Sequence, residues 1–453
     1  MFAMAESGSA PVNGRGLRRP ATRRTAVAAA GWGAVLAACG APGPAEQAKQ
    51  LKTGITLLWG GSGNSASRIA LHRQQADLFE RKFPGIKVEI VPDGENLDKI
   101  KAGLAAGTPM DLVSMNTRYA VFARQSALVA FDPFVARDKY DLKDFFPAPL
   151  ATWQWRGKLW AMPFNGIQTP YVNLAVTEES GARRPPASWS DPTWNWEAFL
   201  DYCRKVSRQE GGRTVQWGFT GGQGNIRVFM AWVWGNGGDM FDKDLTRVTL
   251  GDPPALEGLQ FQADLINKYH FMPHPDELSA IGGSGGPFLA NKAGINVGAV
   301  GNIATNRRTA GLRWTVTAMP RGAKNAFIGG GGSGWFMLAG GRSDETWELL
   351  KVVESPEGDR MVALAGEAPP ARRSVARDPD YLNPKEAPGA DMKVVVESME
   401  TAFRPDPILV QGDEIINIVQ NELNPAWSGQ RSVSQSVEVI KARVEPLLKA
   451  ERQ

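Results

Sequence analysis

The sequence predicts an α/β protein of two lobes, and three observations carry that expectation. From residue 54 onward, short apolar runs closed by Gly alternate with helical patterns, as in a sheet covered by helices. The chain beyond residue 53 is about 400 residues long, ample for two separate cores. No internal repeat and no second linker divides it, so the lobes are expected to be interleaved rather than strung in line.

The first run, GITLLWG (54–60), reads as a buried strand. Ile69, His72, Ala76, Phe79 and Phe83 then recur at spacings of 3 and 4, a helix stopped by Pro84 and Gly85. IKVEIV (86–91) is the next strand, followed by a short helix around LDKIKAGLAAG (97–107) and a third strand in MDLVSM (110–115). Such alternation implies parallel pairing. Ligands of open α/β sheets sit beyond the C-terminal strand ends, which directs attention to the loops after Trp59 and Met115. Further on, WEAFLDYCRKVSRQ (196–209) puts Trp196, Phe199, Leu200, Cys203 and Val206 on one helical stripe. Cys203 is therefore expected to be a small core residue rather than a reactive thiol. NIRVFMAWVWG (225–235), ALEGLQFQADLINKYH (255–270) and DETWELLKVVES (344–355) read as helices, and GLRWTVTAMP (311–320) and GGSGWFMLAGG (331–341) as strands.

The N-terminus has a different character. Residues 1–24 carry five Arg against Glu6, and TAVAAAGWGAVLAAC (25–39) is a mildly apolar run too short to span a bilayer. That order of regions is a secretory signal over residues 1–38. TRRTAV (22–27) has a partial twin-Arg pattern. Without this segment the 51 Lys and Arg lose five and the 47 Asp and Glu lose one, leaving 46 of each. A neutral mature chain offers no electrostatic footprint for nucleic acid or anionic lipid. Beyond Cys39 only Cys203 remains, so no disulfide is expected. Residues 39–53, with GAPGPAEQAKQ at 40–50, read as a tether.

The tetrapeptide LAAC (36–39) resembles the bacterial lipobox, which implies cleavage before Cys39 and lipidation of that residue. Six further stretches, in this order, resemble the extracellular solute-binding proteins of family 1, the sugar receptors of ATP-driven importers. They are LAAGTPMDLVSMN (104–116), RGKLWAMPF (156–164), WNWEAFLDYCRKVS (194–207), GNGGDMFDKDLTRVTLGDPPALEGLQFQADL (235–265), ANKAGINVGAVGN (290–302), and 319–358 followed by GEAPPARRSV (366–375). The resemblance implies a two-lobe periplasmic-binding-protein-like (type II) clamp with hinge crossings. One lobe is expected over 54–163 plus 313–366, and the other over 164–312 plus 367–453. It further implies a carbohydrate or related polyol as ligand, permease subunits of an ABC transporter as partners, a monomer, and a membrane link through lipid alone. GAVGN (298–302) lacks the Trp that many sugar-binding relatives place there, so ligand identity does not carry over.

Sugar sites pair flat aromatic rings with short polar side chains, and 15 Trp against 6 Tyr suit stacking. Trp59 and Ser62 of the first loop, Asn116, Thr117 and Arg118 after the third strand, and Asn165 and Gln168 after the first crossing are candidates. Asn302, Ser333 and Trp335 are others, and Arg372 with Arg373 are placed to clamp an acidic group. Trp232 and Trp234 are two residues apart on a helix that ends near Asn236, so they point about 200° apart. One is expected to face ligand and the other to pack, with Trp234 the favoured of the two, and Asn236 is a further candidate for ligand contact. Asp239 and Asp242 fit turn chemistry better than catalysis.

His72, His270 and His274 are the only His and form no metal-ligand spacing, and no nucleophile elbow or Cys/His arrangement is present. No cofactor and no metal are therefore expected. The competing reading, a secreted glycan-active hydrolase or lyase, needs two carboxylates across the scissile bond, and no convincing pair stands out.

Overall fold

The computed structural model describes residues 51–164, 166–340 and 342–451. The signal over 1–38, Cys39, the tether to residue 50 and Asn165 lie outside the described residues.

The chain passes between two lobes repeatedly. The first pass contains β1 (Ile55–Gly60), α1 (Ala66–Lys82), β2 (Ile86–Val91), α2 (Leu97–Ala105), β3 (Leu112–Met115) and β4 (Met162–Phe164). The second begins with β5 (Gln168–Asn173), α3 (Trp196–Val206), β6 (Arg208–Glu210), β7 (Arg213–Thr220) and α4 (Ile226–Asn236). It continues through α5 (Pro253–Asn267), β8 (Ala293–Ala299), α6 (Asn302–Arg308), β9 (Trp314–Val316) and β10 (Ile328–Gly330). The chain then returns for β11 (Ser333–Met337), α7 (Ser343–Val353) and α8 (Pro356–Ala365). It ends in β12 (Phe403–Pro405), α9 (Gly412–Trp427) and α10 (Val433–Glu451).

Among the described residues β10 pairs with β12, and two five-stranded sheets have the orders β2-β1-β3-β11-β4 and β9-β5-β8-β7-β6. Each has its own core, one drawn from residues 57–164 and 335–368, the other mostly from 167–328 and 375–448. Local signals set the elements as read from the sequence. Ser65 caps α1, Asn96 caps α2 and Asn195 caps α3 through their side-chain oxygens. Cys203 is fully buried, and burial pushes its thiol well above the ordinary value, as befits a core residue.

Two expectations are corrected. The sheets are mixed rather than parallel. β1, β2 and β3 run parallel, but β11 enters antiparallel to both β3 and β4 because it arrives from the other lobe. The return to the first lobe also falls later than residue 313. β9 pairs antiparallel with β5, and Trp314 packs edge-on against Tyr171 at 5.7 Å, so residues 314–316 belong to the second sheet. The strand was legible; its partner was not, since pairing here links residues about 140 apart.

Three segments connect the lobes, at 164–168, 330–333 and 366–372. The first two touch backbone to backbone. Ile167 bridges Gly330, and the Gly331 N–H donates to the Gly166 carbonyl at 2.8 Å. Gly166 and Gly331 have φ of 138° and 143°, and a Cβ on Gly166 would lie 2.1 Å from the Gly332 Cα. Only glycine satisfies both the dihedral and the contact. Gly166→Ala is expected to cost about 3 kcal/mol or more in urea unfolding. Gly181→Ala has positive φ but nothing within 4 Å of its Cβ, and should cost about 1 kcal/mol.

Candidate functional site

Pairing directions place the functional edges. The C-terminal ends of β1, β3 and β4 and the start of β11 share one edge of the first sheet. The ends of β7 and β8 and the start of β5 share one edge of the second. Because β4 runs into β5 through the first crossing, the two edges are joined at the hinge.

On the first-lobe side, the loop after β1 lies over an aromatic floor. Trp59 and Trp335 are fully buried, with ring centroids 5.2 Å apart, and His72 sits 4.8 Å from Trp59 and 5.3 Å from Trp335. Both Trp, expected at the ligand, are core residues instead, packed against each other, His72 and Phe164. Ser62 is buried too. Its N–H donates to His72 Nε2, its hydroxyl donates to Glu95, and Arg68 donates to that hydroxyl at 3.2 Å. Burial lowers the His72 pKa from 6.5 to about 4, keeping the ring neutral.

The polar groups at the two edges pair with each other. Arg68 donates from Nε and Nη2 to the Glu367 carboxylate at 3.2 and 2.9 Å, and Ser67 donates to its other oxygen. Glu367 lies on the third crossing. Asn116 caps the turn that follows β3, accepting from the Arg118 N–H at 3.0 Å. That geometry presents Thr117 and Arg118 to the other lobe. Thr117 donates to Asp406 at 3.2 Å, and Arg227 of α4 grips the same carboxylate through Nε at 2.8 Å and through Nη2. Arg118 pairs with Asp413 of α9. Gln168, Asn302 and Ser333 complete the edges: Gln168 opens β5, Ser333 opens β11, and the Asn302 amide lies over Gly298.

Helix α4 buries both of its Trp in the second core, with Trp234 6% exposed. Trp232 packs among Phe199, Phe219 and Phe261 and donates to Gln262, so it belongs to the core. Trp234 lines a groove with Arg404, Pro405 and Asp406, and its Nε1 donates to Asp239 at 3.0 Å. Gly237 in the left-handed region ends the helix. Asn236 is turned inward, donating to the Pro254 carbonyl and to Glu257, and is not a ligand group. Asp239 and Asp242 accept from neighbouring backbone N–H groups, as turn residues do.

Arg372 and Arg373 are corrected as an acid clamp. Arg372 is buried, donating to the Glu354 carbonyl at 2.5 Å, Asp144 at 3.1 Å and Tyr140 at 2.7 Å. Asp359 accepts from its backbone N–H, and burial raises the Asp359 pKa to about 6. The cluster anchors the third crossing to the first lobe. Arg373 pairs with Glu400.

Sequence reasoning missed Arg68, Glu367, Arg227, Asp406 and Asp413. Their pairings span 179 to 299 residues, and no local pattern signals them. Among the described residues no group of three or more His, Cys, Asp or Glu is arranged to hold a metal, and no helix is long and apolar enough to cross a membrane.

The sequence pattern of the bacterial extracellular solute-binding protein family matches residues 64–360. A putative binding protein of Brucella abortus is 23% identical over 394 residues, covering 82% of this chain and 88% of the relative. The sn-glycerol-3-phosphate-binding periplasmic protein of Pectobacterium atrosepticum is 24% identical over 409 residues, covering 83% and 87%. The ABC substrate-binding protein of Listeria monocytogenes solved with cycloalternan superposes with a TM-score of 0.74 at 15% identity, covering 87% of this chain and 98% of that one. The last likeness shows the fold, a two-lobe clamp.

The buried imidazole gives a pH signature. Unfolded His binds a proton below about 6.5 and the folded ring only below about 4, so the unfolded state takes up more protons between those values. Stability therefore falls as pH drops through that window. His72→Gln should be less stable at pH 7, yet its loss from pH 7 to 4.5, read by urea unfolding, should be about 2–3 kcal/mol smaller than that of the parent.

Proposed function

The chain belongs to the bacterial extracellular solute-binding proteins, and from that premise we propose that it captures a carbohydrate between its lobes for an ABC importer. Family membership puts its working site outside the cytoplasmic membrane, in the periplasm or at the cell surface. The finer reading is a lipoprotein: signal over 1–38, lipid on Cys39 as the only anchor, and permease subunits as partners of a monomeric receptor.

The observation that carries the reading is the pair of strand-end edges, hinged at Gly166 and Gly331 and both furnished with amides, hydroxyls and Arg–carboxylate pairs. Sugar hydroxyls donate and accept at once, so they suit a surface that offers both. Asn116, Gln168, Asn302 and Ser333 are the short polar groups available for this, with Arg118 and Arg227 beside them. The lobes run over 54–164 plus 333–366 and over 167–330 plus 373–451. Ligand bridging both edges favours the closed arrangement, a population shift set by its differential contacts. The carboxylates at the edges are held by guanidinium groups, so the reading assigns no bond cleavage.

Titration calorimetry against mono- and oligosaccharides and polyols is the direct test, and silence across such a panel at millimolar concentration would overturn the proposal. Gln168→Ala and Asn302→Ala should each weaken the sugar that binds by about tenfold, the worth of a hydrogen bond in a closed site, without lowering Tm. Cys39→Ser should shift the protein from the detergent phase to the aqueous phase in Triton X-114 partitioning; unchanged partitioning would remove the lipid anchor.

A further inference from the structure

The anion seats at the two edges are already filled by the protein's own carboxylates. Arg68, with Ser67 and the N-terminus of the 17-residue helix α1, is arranged as an anion site, and the Glu367 carboxylate occupies it through both oxygens. Arg227 and Thr117 form a second seat, and Asp406 occupies it. Arg118 faces Asp413. The Glu367 and Asp406 side chains are only 10% and 5% exposed. Arg404 lies 4.5 Å over the Phe327 ring in a groove that also carries Arg247, Asp239 and Asp242.

From this, and resting on the receptor reading above, we infer that Glu367 and Asp406 are specificity-determining residues that make the site refuse anionic ligands and accept uncharged polyhydroxyl ones. A phosphorylated ligand reaching Arg68 or Arg227 must displace a resident carboxylate and leave it buried without its partner. Stranding a buried charge costs on the order of a hundredfold or more in affinity. A neutral sugar meets no such penalty, because its hydroxyls hydrogen-bond to the intact pairs. The charge of the ligand is thereby decided by residues that need not touch it. One relative in this family binds sn-glycerol 3-phosphate, so ligand charge is not settled by kinship.

The test titrates sn-glycerol 3-phosphate, inorganic phosphate and a panel of neutral sugars into the parent protein and into Asp406→Asn and Glu367→Gln. The parent should bind at least one neutral sugar and neither phosphate compound at millimolar concentration. Either amide variant frees a guanidinium and should gain at least tenfold in affinity for a phosphate compound, with a gain that fades as salt rises. Asp413→Asn, at the exposed rim, is the variant of choice if the buried ones lose cooperative unfolding, and it should show the same gain at smaller size. Micromolar binding of a phosphate compound by the parent would overturn the inference while leaving the receptor reading intact. So would folded variants that gain nothing. A parent silent to every compound would instead remove the receptor reading, and this inference with it.

Discussion

Two backbone segments crossing at van der Waals contact set the geometry of everything else in the molecule. Gly166 and Gly332 lie so close that one added methyl on Gly166 would overlap the Gly332 backbone, and the hydrogen bond from Gly331 to Gly166 holds them there. Because the first sheet ends on one of these segments and begins again on the other, its strands β4 and β11 are neighbours. The second sheet starts on the far side of the same crossing at Gln168. Opposed strand ends, and hence a cleft, follow from this contact rather than from any feature of the cleft itself.

The third crossing is fixed differently. Where the first two rely on the absence of side chains, residues 366–372 are held by one very large one. Arg372 reaches Glu354, Asp144 and Tyr140 within the first lobe, and the same segment carries Glu367 to Arg68. A buried guanidinium bonded from each of its three nitrogens is a stiff anchor, because losing the Asp144 carboxylate would leave its charge uncompensated. This arrangement also explains why an arginine pair that looks like a ligand clamp in sequence is a strut in three dimensions.

How much of this was legible in the sequence depended on range. Helix caps, the Gly237 stop and the two-residue offset of Trp232 and Trp234 are local, and each was readable from a dozen residues. The placement of β9 was not, because an apolar strand such as WTV suits either sheet and its partner lies far away in the chain. Trp59 and Trp335 adjoin glycine-rich loops, a pattern that suits platforms, but folding packs both rings against each other, His72 and Phe164. Asp406 and Glu367 sit in unremarkable Pro-flanked contexts, PDP and EAPP, and only folding brings them to Arg227 and Arg68. Charge partners separated by hundreds of residues leave no periodic trace.

The two contacts made by Thr117 and Arg118 differ in their access to water, and salinity would act on them unequally. Arg118 and Asp413 are 40% and 43% exposed, within reach of counterions whose screening length is about 8 Å at physiological ionic strength. The Asp406 side chain, only 5% exposed, is sealed from them. A rise in external salt therefore loosens the outer fastening and spares the inner one, so the rim can breathe in brine while the alignment of the two edges is preserved.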